Sequence, residues 1–166
     1  MMNLFKKSML IGFLLILTSI GFAQTAPEMK IGWTADIVLG TGYTITQTFT
    51  VSHNNFAICY NTNTGKTQIW NLEKGGSPVY DHTTHKGWSS LVFFLLDNET
   101  YLFTYNKTTG KVIFYQMNMT GIQKRVGEYS WSTGWNGFDV LYRNKIPTIM
   151  MTKASDGRAK FFNPHF

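Results

Sequence analysis

Tyr101-Leu102-Phe103-Thr104-Tyr105-Asn106-Lys107-Thr108-Thr109-Gly110-Lys111-Val112-Ile113-Phe114-Tyr115 sets two runs of β-branched and aromatic residues on either side of a polar turn closed by glycine. Runs of this kind favour strands, and a closing glycine supplies the positive φ that a tight connection needs. The stretch predicts a β-hairpin. The same punctuation recurs at 61–65 and 153–157, which end in Gly65 and Gly157.

A second anchor fixes the register of the copies. Gly42-Tyr43, Gly87-Trp88 and Gly134-Trp135 are spaced by 45 and 47 residues, and Gly65, Gly110 and Gly157 keep the same two intervals. Agreement of two independent anchors indicates an internal repeat. In the second copy four strands are predicted, at 90–96, 101–105, 111–117 and 125–131. In the third of these strands, alternation puts Ile69, Phe114 and Phe161 on one face and Trp70, Tyr115 and Phe162 on the other.

The copies are offset along the chain. The third carries no fourth strand before Phe166, while 33–39 stands ahead of Gly42 as 79–85 and 126–131 stand ahead of the later openings. Pairing 33–39 with the third copy would close a ring and remove exposed sheet edges. The expected fold is all-β, with three four-stranded repeats of about 45 residues at 42–86, 87–133 and 134–166 closed by pairing of the terminal strands. A β-trefoil is favoured; a β-propeller completed by oligomerisation is the alternative, since four strands in this length is also the size of one blade.

The N-terminus reads as an export signal at 1–23. Lys6 and Lys7 precede an apolar stretch from Met9 to Ile20, and Gly21-Phe22-Ala23 offers small residues for cleavage. An apolar stretch this short falls below the roughly 20 residues a spanning helix requires, and no second one follows. A single domain at 24–166, secreted or periplasmic and without a transmembrane segment after cleavage, is the expectation. Beyond the signal the chain carries 13 basic residues against 9 acidic ones, and the whole excess falls after residue 123. No basic run forms, so specific nucleic-acid binding is not expected. Cys59 is the single cysteine, which excludes an internal disulfide; it aligns with Thr104 and Met151 inside a strand and reads as a packed residue.

Catalytic motifs are absent from the sequence: there is no phosphate-binding Gly-Lys-Ser/Thr loop, no nucleophile elbow and no paired cysteine ligands. Asp81-His82-Thr83-Thr84-His85 is the densest cluster, but strand alternation separates the two imidazoles, so no metal and no cofactor are predicted. The chain does not read as an enzyme. Aromatic residues make up 16% of it, and Tyr60 with Asn61, like Tyr105 with Asn106, stands where a strand enters a polar loop. A ring face beside an amide suits a sugar, which has one apolar face and many hydroxyls. Asn at this place also caps a bend. Trp88 and Trp135, at the repeat openings, read chiefly as wedges between units and secondarily as ligand contacts.

Gly-Trp, a strand, the quoted hairpin and another Gly-Trp resemble repeats of secreted bacterial lectin-like β proteins over residues 42–163. The resemblance implies a recognition role, and the candidate positions for a glycan or cell-surface ligand are those read from the residues: Tyr60, Asn61, Tyr105, Asn106, Trp88 and Trp135. Thr152 stands where the other copies have Tyr60 and Tyr105, which lowers the expected number of like sites to two. A non-catalytic binding module, monomer or homodimer, is the leading expectation. A structural or protein-interaction role is the alternative, and a hydrolase comes last.

Overall fold

A computed structural model describes residue 39 and residues 41–166. The expected signal at 1–23 and strand at 33–39 lie outside the described residues, apart from Leu39. The described residues form eleven strands and no helix. The first repeat folds as β1 (Ile45–Val51), β2 (Asn54–Tyr60), β3 (Lys66–Asn71) and β4 (Tyr80–Thr83), and the second as β5 (Ser90–Leu96), β6 (Glu99–Tyr105), β7 (Lys111–Asn118) and β8 (Gly121–Ser130). The third has β9 (Gly137–Arg143), β10 (Ile146–Lys153) and β11 (Arg158–Phe162).

Each repeat makes its own antiparallel meander, in the orders β1-β2-β3-β4, β5-β6-β7-β8 and β9-β10-β11. Among the described residues no strand is shared between sheets and none of the sheets closes. The fourth strand of the second repeat starts at Gly121, ahead of the expected 125. The tip Asn118–Thr120 is short, and two register shifts in the β7–β8 ladder let the longer strand stay paired.

Hairpin tips repeat as closely as the strands do. Ser52-His53, Asp97-Asn98 and Asn144-Lys145 all have positive φ at both residues, the signature of a two-residue turn whose twist matches its flanking strands. At the next connection Asn61 accepts from the N–H groups of Asn63 and Thr64 at 2.9 Å each, and Asn106 does the same for Thr108 and Thr109. These amides bend the chain into the glycines Gly65 (φ 77°) and Gly110 (φ 74°).

The sheets stack face to face. Phe49, Phe56, Ile58 and Ile69 of the first sheet pack on Leu91, Leu102 and Ile113 of the second. The other face of the second sheet, with Phe94, Phe103 and Phe114, packs on Ile149 and Met151 of the third. Burying an apolar side chain of this size stabilises by about 1.5–3 kcal/mol, so these two junctions hold most of the core energy. The strand that opens each repeat is innermost, with β5 lying against both β1 and β9.

The outer face of the third sheet breaks the pattern. Ile69 and Phe114 are fully buried, but their equivalent Phe161 is 63% exposed, and Leu141, equivalent to the buried Phe49 and Phe94, is 45% exposed. The alternation read from sequence is present; among the described residues no sheet covers that face.

Candidate functional site

The residues singled out from sequence are reached first. Tyr60 and Tyr105 are buried, and each hydroxyl ties one repeat to the next. Tyr60 donates to the His85 carbonyl at 2.8 Å and accepts from the Trp88 N–H at 3.1 Å. Tyr105 donates to the Ser132 carbonyl at 3.0 Å and accepts from the Trp135 N–H at 3.3 Å. Trp88 and Trp135 are buried at the same junctions. Asn61 and Asn106 spend their amide oxygens on the turns described above. The expected ring faces for a sugar are therefore turned inward, because the repeats stack against one another through these very positions. Their hydroxyls are also held in the neutral form, since burial raises both pKa values above that of free tyrosine.

Cys59 is buried, and burial raises its thiol pKa. His82 packs its edge on Tyr80 at 4.5 Å, and Asp81 accepts from the Gln68 amide at 2.6 Å. Among the described residues no three His, Cys, Asp or Glu side chains come together as a metal cluster. No described helix is long and apolar enough to cross a membrane.

Two clefts compete for a ligand. One, of about 380 Å³, is lined by Trp131, Trp135, Met151, Phe161 and Phe162, with the Lys160 ammonium 5.6 Å from the Trp135 ring centre. The matching place between the first and second sheets, lined by Trp88, Thr104 and Tyr115, has a volume of only about 10 Å³. There the second sheet has its fourth strand, β8. The wide cleft lies where the third sheet has no fourth strand among the described residues.

The other cleft lies at the tips, where the second and third sheets meet. It has a volume of about 510 Å³ and is lined by Leu95, Asp97, Asn98, Tyr142 and Lys145. The Tyr142 ring is 52% exposed yet fixed, because its hydroxyl accepts the Leu95 N–H at 2.7 Å. Asp97-Asn98 and Lys145 stand on the two-residue tips of adjacent repeats, whose backbones the turns hold. A second opening of about 390 Å³ continues from Tyr142 along the inner strands, past Asp139, Phe138, Phe93 and Gln47. One half-exposed aromatic ring, tied by its hydroxyl, thus shares a cleft with a carboxylate, an amide and an ammonium.

Sequence reasoning did not find this site. Its residues come from two repeats and share no motif, and the one available signal was the pair of tip dipeptides, Asp97-Asn98 and Asn144-Lys145. No protein-family model matches the chain, and no curated protein matches it.

Proposed function

We propose that this chain is an exported, non-catalytic binding module that recognises carbohydrate at the cleft around Tyr142. The observation that carries this reading is the fixed, half-exposed Tyr142 ring with Asp97, Asn98 and Lys145 about it. A pyranose offers one apolar face for stacking and a rim of hydroxyls that need both donors and acceptors, and this cleft supplies each. An export signal at 1–23 would deliver the protein to a secreted or periplasmic location, where free glycans and cell surfaces are met.

The ring architecture belongs to the same proposal. Of the two closed architectures, propeller-type blades are favoured over a trefoil, because every repeat pairs only within itself and the first strand of each is innermost. Segment 33–39 then serves as the fourth strand of a third-type sheet, and the opening lined by the inner strands lies along the ring axis.

A glycan array with the purified protein tests the binding reading, followed by titration of any hit against Tyr142→Ala. Loss of at least tenfold in affinity is expected, with little change for Tyr60→Phe. Absence of binding at high protein concentration would overturn the carbohydrate reading. The exposed Leu141, Ile146 and Phe161 favour protein interaction as the second reading; one stoichiometric envelope partner in a pull-down that survives Tyr142→Ala would support it.

A further inference from the structure

We propose that a second copy of this chain completes the third sheet, each copy inserting segment 33–39 beside β11 of the other, so that two chains form one ring of six sheets. The proposal rests on the reading of 33–39 as a fourth strand.

β4 leads into β5 of the sheet stacked on its own, and β8 leads into β9 in the same way. Six residues make each of these links, 84–89 and 131–136, and five residues, 40–44, separate segment 33–39 from β1. By that rule 33–39 belongs to a sheet stacked on the opposite face of the first sheet, the face of the buried Ala57, Cys59 and Gln68, which no described sheet covers. The third sheet of the same chain does not lie there. It stacks on the far side of the second sheet, and β1 has no contact with β9 comparable to those β5 makes with both.

The third sheet keeps a place for such a strand. A Cβ added at Gly65 would lie 2.4 Å from the Thr84 carbonyl oxygen, and one at Gly110 would lie 2.0 Å from that of Trp131. These glycines face the chain just past the end of the fourth strand, and their carbonyls accept from Thr84 and Trp131 N–H at 2.9 and 2.8 Å. Gly157 has the same left-handed φ, 68°, with nothing among the described residues within 4 Å of its added Cβ. Beside it, β11 has β10 as its one neighbour among the described residues. Phe161 and Leu141 lie open on the face that a following sheet covers in both earlier repeats.

Carrying the β3–β4 register (Gln68↔Asp81) and the β7–β8 register (Ile113↔Glu128) onto the third repeat sets Asp36 opposite Lys160 and Val38 opposite Arg158. Asp36, Asp81 and Glu128 then hold one repeat position, and both described acids there are engaged, Asp81 by the Gln68 amide and Glu128 by Lys111 at 3.1 Å. Lys160 is the cation that Asp36 would meet. Two chains of three sheets give six, within the range at which propellers close, and a two-fold axis makes both new junctions identical.

Light scattering of the purified protein is expected to give twice the single-chain mass. Ala159→Pro should weaken the dimer at least tenfold with unchanged far-ultraviolet circular dichroism. Ala159 is equivalent to Thr67, which alternates in step with Gly65 and Ile69, whose carbonyls bond the fourth-strand side; proline there removes only a donor aimed at the open edge. A wild-type monomer at 100 µM, or a dimer indifferent to Ala159→Pro, would overturn the proposal. Oxidation of Val38→Cys/Arg158→Cys in a Cys59→Ala background separates the two layers of argument. A covalent dimer supports the exchange. A covalently closed monomer keeps 33–39 as the fourth strand but overturns the second copy. Failure of a folded protein to cross-link overturns both.

Discussion

The hydroxyl of Tyr60 reaches from the end of β2 to the backbone of Trp88, accepting its N–H at 3.1 Å, so the second strand of one repeat holds the opening of the next. Tyr60→Phe leaves that buried N–H without its acceptor and removes the donor to His85. An unsatisfied buried donor costs about 1–3 kcal/mol, which is the destabilisation expected in urea unfolding, and Tyr105→Phe should match it. Wild-type stability in either variant would show that these bonds contribute nothing net.

Gly110 and Gly157 carry the same φ requirement but different surroundings. Alanine at either pays about 1–2 kcal/mol for a left-handed conformation. At Gly110 the new Cβ also meets the Trp131 carbonyl oxygen at 2.0 Å, and the backbone there cannot yield without breaking the β7–β8 ladder. Gly110→Ala should therefore unfold the second sheet at denaturant concentrations that Gly157→Ala survives. In Gly157→Ala the loss should appear in dimer mass instead. Equal destabilisation of the two variants at micromolar concentration would contradict this ranking.

Cys59 is fully buried, with the Thr46 hydroxyl 3.9 Å from its sulfur, and its thiol is pushed up by burial. Both effects suppress the thiolate that reacts with disulfide reagents. Native protein should release far less than one equivalent of thionitrobenzoate over an hour, and denatured protein one full equivalent. Rapid native labelling would mean that the first sheet opens at β2.

Tyr115 is held neutral by burial, which pushes its pKa up to about 12 against the partial opposition of the Arg125 charge. The unfolded chain ionises this phenol near its ordinary value of about 10. Its contribution is thus complete below that value and is lost as pH rises towards 12. Unfolding curves collected from pH 8 to 11.5 should fall less steeply above pH 10 in Tyr115→Phe than in wild type. Identical slopes would assign the alkaline loss to the other buried tyrosines.

What was legible in the sequence follows from which forces are local. The repeat register and the strands at 90–96 and 111–117 came from alternation and from glycines at turns that need a positive φ. Tyr60 and Tyr105 misled because a tyrosine entering a loop looks the same whether its ring meets solvent or the next sheet; only stacking decides. The start of β8 at Gly121 depended on bulges, which alternation does not announce. The Tyr142 cleft was invisible for a plainer reason. Its walls, Asp97-Asn98 and Lys145, belong to different repeats, and nothing in either predicts that their tips adjoin.

Those tips have one last consequence. Ser52-His53, Asp97-Asn98 and Asn144-Lys145 share a backbone while differing in every side chain. A turn that asks only for tolerance of positive φ leaves six positions open to substitution by asparagine, aspartate, glycine, serine, histidine or lysine. Preference for a ligand can then drift from one descendant to another with the scaffold untouched, and a library randomised at these six residues would sample new specificities from a protein that still folds.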